Sequence, residues 1–227
     1  SYELGARYQS ESFSATGAIF YSDLSDFIVP DNLGTGFEEF EGGGTVVIND
    51  GPNDGEISAL GLELQLGYDF GAANGAGYSL PVTFGITLTK AEFESGASSA
   101  DGVSIFSGAR PGNTVPYVPE VQFHVGVGLD AGKYRIALDG TYVGDTNASG
   151  ANGSGPYNHS GAYDSRYGEV PSYFIADLTV QYQLTDNTKV FATARNLFDE
   201  QYVVGRLPQG ARPGMPQSFL VGIEAQF

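Results

Sequence analysis

Cysteine and tryptophan are missing from the 227 residues, methionine occurs once and histidine twice. Without cysteine there is no disulfide framework, no thiolate zinc site and no cysteine nucleophile. Two histidines leave little for an imidazole metal centre. Basic residues are scarce too, with 10 Lys and Arg against 27 Asp and Glu and a formal charge of −17. That balance excludes a nucleic-acid-binding face, because releasing counterions from phosphates needs several cations on one surface. No apolar run reaches the ~18 residues expected of a transmembrane helix. The chain opens Ser1-Tyr2-Glu3-Leu4-Gly5, without an initiator methionine or a secretory leader. This predicts a start in the middle of a longer polypeptide.

What is plentiful points to strands. Gly 33, Tyr 14 and Phe 15 accompany a charged fraction of 16%, well below the ~25% of ordinary globular chains. Glycine is costly inside helices, and aromatic rings favour pleated surfaces. Strict alternation follows. In Leu60–Phe70 one face reads Leu60, Leu62, Leu64, Leu66, Tyr68, Phe70 and the other Gly61, Glu63, Gln65, Gly67, Asp69. The same period of two runs through Val121–Asp130, Tyr134–Tyr142, Phe174–Leu184 and Phe219–Phe227, and more weakly through Tyr2–Tyr8, Phe13–Val29, Leu80–Phe93 and Thr188–Phe198. In Thr188–Phe198, Phe191 falls on the otherwise polar face. Nine strands are predicted.

Their connections alternate short and long. Short ones follow Tyr8, Phe70, Leu129 and Leu184, the second running Gly71 to Gly77. Long ones, rich in Gly, Pro, Asn, Asp or Ser, run Pro30–Gly55, Glu94–Pro119, Gly144–Pro171 and Asp199–Pro216. Loops beyond ~15 residues at every second turn are rare in soluble domains and signal function. Strands of ~9–11 residues, short turns at one end, long loops at the other and one apolar face together describe a transmembrane antiparallel β-barrel. Tyr and Phe near strand ends fit interfacial girdles. A soluble β-sandwich also alternates, but strand length and loop rhythm disfavour it. Nine antiparallel strands cannot close alone, since an open edge in lipid strands its backbone polar groups. They are therefore expected to be the last part of a larger barrel whose other strands precede Ser1, with Phe227 ending the final strand at the periplasmic rim.

Several strings resemble the C-terminal region of the TonB-dependent outer-membrane receptors. Tyr2-Glu3-Leu4-Gly5-Ala6-Arg7-Tyr8 is similar to one strand of that family, Gly61-Leu62-Glu63 to the pattern of a later strand, and Val118-Pro119-Glu120 to the entry of the strand that begins here at Val121. Asn196-Leu197-Phe198-Asp199-Glu200-Gln201-Tyr202 matches its N-[LI]-F-[DN]-x-x-Y pattern. Gly214-Met215-Pro216-Gln217 stands where G-x-P-R is usual, so Gln217 is a departure. Within the family the likeness is closest to the ferric dicitrate receptor type. The resemblance implies a 22-stranded barrel of which residues 1–227 supply strands 14 to 22. It also implies a plug domain and TonB box that this chain lacks. By the same resemblance the protein is a receptor in the outer membrane of a Gram-negative bacterium. It would take up a ferric chelate, such as ferric citrate or another siderophore, with energy from the TonB-ExbB-ExbD complex. Lipid and lipopolysaccharide would surround it. The alternatives are a barrel enzyme of protease or lipase type, or a receptor for a non-iron ligand such as cobalamin or a sugar.

In such a barrel the outer loops select the ligand and the polar faces line the lumen. Lumen positions are Glu63, Gln65, Asp69, Gln122, His124, Arg135, Asp139, Asp177, Gln181, Arg195 and Glu224. Loop Asp199–Pro216 carries Arg206, Gln209 and Arg212 as donors, and arginine pairs bidentately with the carboxylates of an anionic chelate. Arg110 and Arg166 are weaker candidates in two other long loops. The dicitrate resemblance also places Asn32 near a ligand contact, although the residue type differs there. Loop Pro30–Gly55 holds Asp31, Glu38, Glu39, Glu41, Asp50 and Asp54 without a base. No EF-hand spacing is present, so a solvated acidic loop is the simpler reading. Asn147, Asn152 and Asn158 head Asn-x-Ser sequons, which are read as loop composition. His159, Ser160 and Asp164 are near in sequence, which is not triad geometry. No catalytic constellation, cofactor or metal site is expected.

Overall fold

The computed structural model describes residues 1–27, 37–39, 45–47, 55–96, 105–106, 108–153, 155–157, 161–207 and 209–226. In chain order the strands are β1 (Tyr2–Gln9), β2 (Phe13–Phe27), β3 (Phe37–Glu39), β4 (Thr45–Val47) and β5 (Gly55–Asp69). After a short helix α1 (Phe70–Ala73) come β6 (Pro81–Phe93), β7 (Val121–Ala131), β8 (Tyr134–Val143), β9 (Thr146–Asn147) and β10 (Glu169–Val170). The last are β11 (Tyr173–Thr185), β12 (Thr188–Arg195), β13 (Val203–Gly205), β14 (Arg212–Pro213) and β15 (Ser218–Ala225). Nine of them form one sheet in the order β1-β2-β5-β6-β7-β8-β11-β12-β15. Each is antiparallel to its neighbour. These are the nine strands expected from alternation.

Register keeps the faces separate. Leu4, Ile19, Leu62, Leu88 and Val121 follow one another across neighbouring strands, so one face is aliphatic. The reverse face carries Glu63, Thr87 and Gln122 in the same way. A one-residue slip would put every one of these on the wrong side.

Among the described residues no second layer covers the apolar face. Leu4 is 72% exposed, Ile19 52%, Leu60 57% and Ile223 67%. Large aliphatic side chains exposed in register across neighbouring strands differ from the singly scattered surface apolar residues of a soluble monomer. This removes the sandwich and leaves the wall of a barrel, open here along β1 and β15. Aromatic side chains border the face at two heights. Beside the short turns stand Tyr8 with Phe13 (6.0 Å), Tyr68 with Phe70 (4.7 Å) and Tyr134 with Tyr182 (4.8 Å). Toward the long loops Phe123 packs on Tyr142 (4.9 Å) and Phe174 (6.5 Å). Phe13 to Tyr21, Tyr134 to Tyr142 and Phe174 to Tyr182 are equal steps along their strands. Each step covers about 27 Å of extended chain, or roughly 20 Å after a ~40° tilt, which suits the ~25 Å apolar band of an outer-membrane barrel.

Four details differ from the sequence reading. Residues 70–73 form a helical turn because the Asp69 carboxylate accepts from the backbone N–H of Gly71 (2.9 Å) and Ala72 (3.0 Å). Asp69, expected in the lumen wall, thus organises a short connection, also accepting from Leu80 N–H and Ser79 Oγ. The strand ends shift, with β5 beginning at Gly55 and β12 stopping at Arg195, where the backbone turns left-handed at Asn196. The long loops contain three further two-stranded ribbons, β3–β4, β9–β10 and β13–β14. Phe227 lies outside the described residues.

Candidate ligand-binding loops

Buried side chains gather at the long-loop end. Phe93 and Ala148 are fully enclosed, and Ala109, Tyr167, Val170 and Leu207 are buried with them. Each belongs to, or adjoins, one of the loops spanning 94–120, 144–172 and 196–217. Hydrogen bonds run between the first two. Asn113 Nδ2 donates to Gly150 O (2.6 Å), Gly150 N–H to Ile105 O (2.7 Å) and Tyr117 N–H to Asn147 O (3.2 Å). The Asn152 carboxamide, on a left-handed backbone, accepts from Thr114 N–H (2.6 Å) and donates to Thr114 O (3.0 Å). Asn147 Nδ2 donates to Thr114 Oγ1 (3.0 Å), so Asn147 and Asn152, read from sequence as loop composition, are structural amides.

The third loop joins them at Arg206. Its backbone N–H donates to Tyr117 Oη (3.2 Å), which also accepts from Leu207 N–H (3.0 Å). Its guanidinium donates to Glu169 O (2.7 Å) and Ser165 O (3.2 Å). Arg166 is held by Asp164, Nε and Nη2 lying 2.9 and 2.6 Å from its carboxylate oxygens. The pair holds the Asp164 carboxyl below its ordinary value and raises the Arg166 guanidinium. Arg110, Gln209 and Arg212 are exposed. Asn32, His159 and the acidic stretch 30–55, apart from β3, β4 and Gly55, lie outside the described residues.

The stem of the third loop is built from two separated strings. Asn196 is 3% exposed and left-handed at φ 49°. Its N–H donates to the Asp177 carboxylate (2.8 Å), and its carboxamide donates to Glu200 O (2.9 Å) and Met215 O (3.1 Å) while accepting from Glu200 N–H (2.9 Å). The Tyr202 ring lies over Gly214, where a Cβ would come within 2.1 Å of it. Tyr202 Oη accepts from Met215 N–H (3.2 Å). Gln217 Nε2 donates to Leu197 O (2.8 Å), so this departure from the usual arginine keeps a side-chain donor. Asn196–Tyr202 and Gly214–Gln217 are two halves of one clasp.

A family described as "TonB dependent receptor-like, beta-barrel" matches residues 1–197. The chain belongs to that family. No curated protein sequence matches it. Among solved structures it is similar to the ferric-catecholate import receptor Fiu from K12 E. coli in its closed form. That likeness has 20% identity and a TM-score of 0.65 over 99% of this chain and 27% of that one. It is also similar to the ferric citrate transporter FecA in the unliganded form, with 19% identity, TM-score 0.68, and 98% and 30% of the two chains covered. The siderophore receptor PiuA from Acinetobacter baumannii gives 18% identity and TM-score 0.69 over 98% of this chain and 28% of that one. These likenesses show the fold. This TonB-dependent receptor chain spans under a third of each of those structures.

On the polar face, Glu63, Gln65, Thr87, Gln122, His124 and Thr141 line a trough of about 210 Å³. Its floor exists because Gly85 leaves room for the His124 ring, whose Cε1 would lie 2.0 Å from a Cβ there. Three other lumen positions are already paired. Arg135 bridges Asp130 (2.6 Å), Lys189 bridges Glu224 (3.1 Å) and Asp177 holds Asn196. Among the described residues no three His, Asp or Glu converge as a metal site.

Proposed function

We propose that these nine strands are strands 14 to 22 of a 22-stranded receptor in a Gram-negative outer membrane. A plug domain and TonB box would belong to the part preceding Ser1. The receptor's function is then TonB-energised uptake of a ferric chelate, with ferric citrate or another siderophore as cargo and TonB-ExbB-ExbD as the energising complex. Lipid and lipopolysaccharide would surround the apolar face.

The observation that carries this reading is the interlocked roof of three long loops at one end of a lipid-sized strand array. Such loops hold a ligand outside while a polar wall lies beneath. The exposed donors on that roof, Arg110, Gln209 and Arg212, suit an anionic, oxygen-rich chelate. Asn32 remains a candidate on the dicitrate resemblance, and Arg166 is a weaker one because Asp164 neutralises it.

Growth of a strain carrying the receptor as its sole ferric-citrate system tests the proposal. Iron-limited growth that depends on the gene and on TonB supports it. Growth independent of the gene, with another chelate rescued instead, would replace ferric citrate as the cargo. Loss of neither would refute iron uptake.

A further inference from the structure

Three loops meet at one residue pair, Tyr117 and Arg206, and this gives the roof a mechanical property. Tyr117 belongs to the loop after β6, Arg206 to the loop after β12, and Ser165 and Glu169 to the loop after β8. The Tyr117 hydroxyl accepts two consecutive backbone N–H groups, from Arg206 (3.2 Å) and Leu207 (3.0 Å). The side chain of the same Arg206 reaches the carbonyls of Glu169 (2.7 Å) and Ser165 (3.2 Å). The Arg206 backbone N–H is therefore committed to the Tyr117 hydroxyl and its guanidinium to two backbone carbonyls. Tyr117 itself sits at φ 61°, a left-handed backbone that a bulky side chain rarely adopts. Such a conformation persists only where its surroundings over-determine it. Here they do, through Tyr117 N–H to Asn147 O on one side and its hydroxyl on the other.

We propose that Tyr117 and Arg206 are positioning residues that lock the described residues of the loops after β6, β8 and β12 (108–120, 161–172 and 196–207 with 209–217) into one body. This body presents Arg110, Gln209 and Arg212 to the ligand at fixed separations, and Arg206 acts on the ligand through it. The inference rests on the reading of these loops as the ligand-binding roof. It differs in what each residue does. A contact residue is indifferent to Tyr117, whereas a keystone fails whichever of its two partners is removed.

The test uses the complete receptor in detergent, with Tyr117→Phe, Arg206→Met and the double variant. Hydrogen exchange comes first, since it needs no ligand. Tyr117→Phe removes one oxygen and is expected to speed exchange at Arg206 and Leu207 and also, about tenfold, across 161–170. Acceleration confined to 203–213, or none, would overturn the single body. Ferric citrate binding comes second. Each single variant is expected to weaken it about 3- to 10-fold, with the double variant no weaker than the worse single, because the two act as one unit. Additive losses, or a Tyr117→Phe receptor that binds like the parent while Arg206→Met does not, would make Arg206 a direct contact. If the parent receptor does not bind ferric citrate, the cargo is wrong, and the exchange result still decides whether the loops are coupled.

Discussion

The ring of Phe191 on β12 lies over Gly222 on β15, its register partner, so closely that a Cβ on Gly222 would come within 2.4 Å of Cζ. This explains why an aromatic residue interrupts the polar face of Thr188–Arg195. Phe20 does the same over Gly61 on its register partner strand β5, at 2.2 Å. Both rings fill the gap left by a neighbouring glycine and cover its backbone, the arrangement known as aromatic rescue. Gly222→Val and Gly61→Val should each destabilise the barrel by about 1–3 kcal/mol, the cost of overpacking. Gly17→Ala, whose Cβ would meet nothing nearer than 3.7 Å, should be nearly neutral. The temperature of heat-modified mobility in detergent measures this. Equal shifts in all three would show that the rings do not occupy those sites.

Asn196 holds the stem of the last loop with four hydrogen bonds on a left-handed backbone. Asn196→Ala should cost about 2–4 kcal/mol locally, combining unsatisfied backbone groups with a strained conformation. Trypsin cleavage after Arg206 should then accelerate more than tenfold, since each ~1.4 kcal/mol is a factor of ten. Asn196→Gly tolerates the backbone but loses the carboxamide, and should fall between. Cleavage at the parental rate in both variants would contradict the role assigned to the amide.

Asp164 supplies a pH-dependent strut. Arg166 holds its carboxyl below the ordinary value of 3.8, so the stabilisation is present above that value and is lost as pH falls through the lowered one. Exchange in 161–168, corrected for intrinsic chemistry, should be level from pH 7 to about 5 and rise steeply below about 4. Asp164→Asn should remove that rise and leave the segment faster at neutral pH. A parental profile in the variant would show that another group carries the dependence.

Leu62 lies at mid-height on the apolar face, flanked in register by Ile19 and Leu88. Leu62→Arg should cost about 2–4 kcal/mol if its surroundings are hydrocarbon, while Tyr134→Arg at a girdle should cost about 0–1. Folding yield into vesicles reads the difference. Equal costs would remove the depth dependence that lipid imposes.

The nine long strands were legible because their residues alternate with a period of two, a local signal that survives without knowledge of neighbours. Leu60–Leu66 needs no partner to be recognised. The ribbons β9–β10 and β13–β14 have two or three residues a side, too few for a period to register. The turn at Asp69 depended on a carboxylate capping its own chain, which in sequence resembles any other polar residue at the end of a strand. Arg206 was read as a donor for ligand from residue type alone. Its carbonyl partners lie 37 and 41 residues away in sequence, and backbone carbonyls carry no sequence signature. The motif Asn196–Tyr202 was recognisable as a string, yet its physical reason, closure against Gly214–Gln217, needed coordinates.

A barrel wall requires hydrocarbon on one face of the sheet and water on the other. Spin labels placed singly at Leu64, Val125 and Val180, and at Glu63, His124 and Gln181, in the complete receptor in bilayers measure this directly. Apolar-face labels should relax with dissolved oxygen and ignore a water-soluble nickel chelate. Labels on the other face should show low oxygen contact. Labels at Leu64, Val125 and Val180 immobilised and shielded from both reagents would place that face inside protein and contradict a lipid-facing barrel wall.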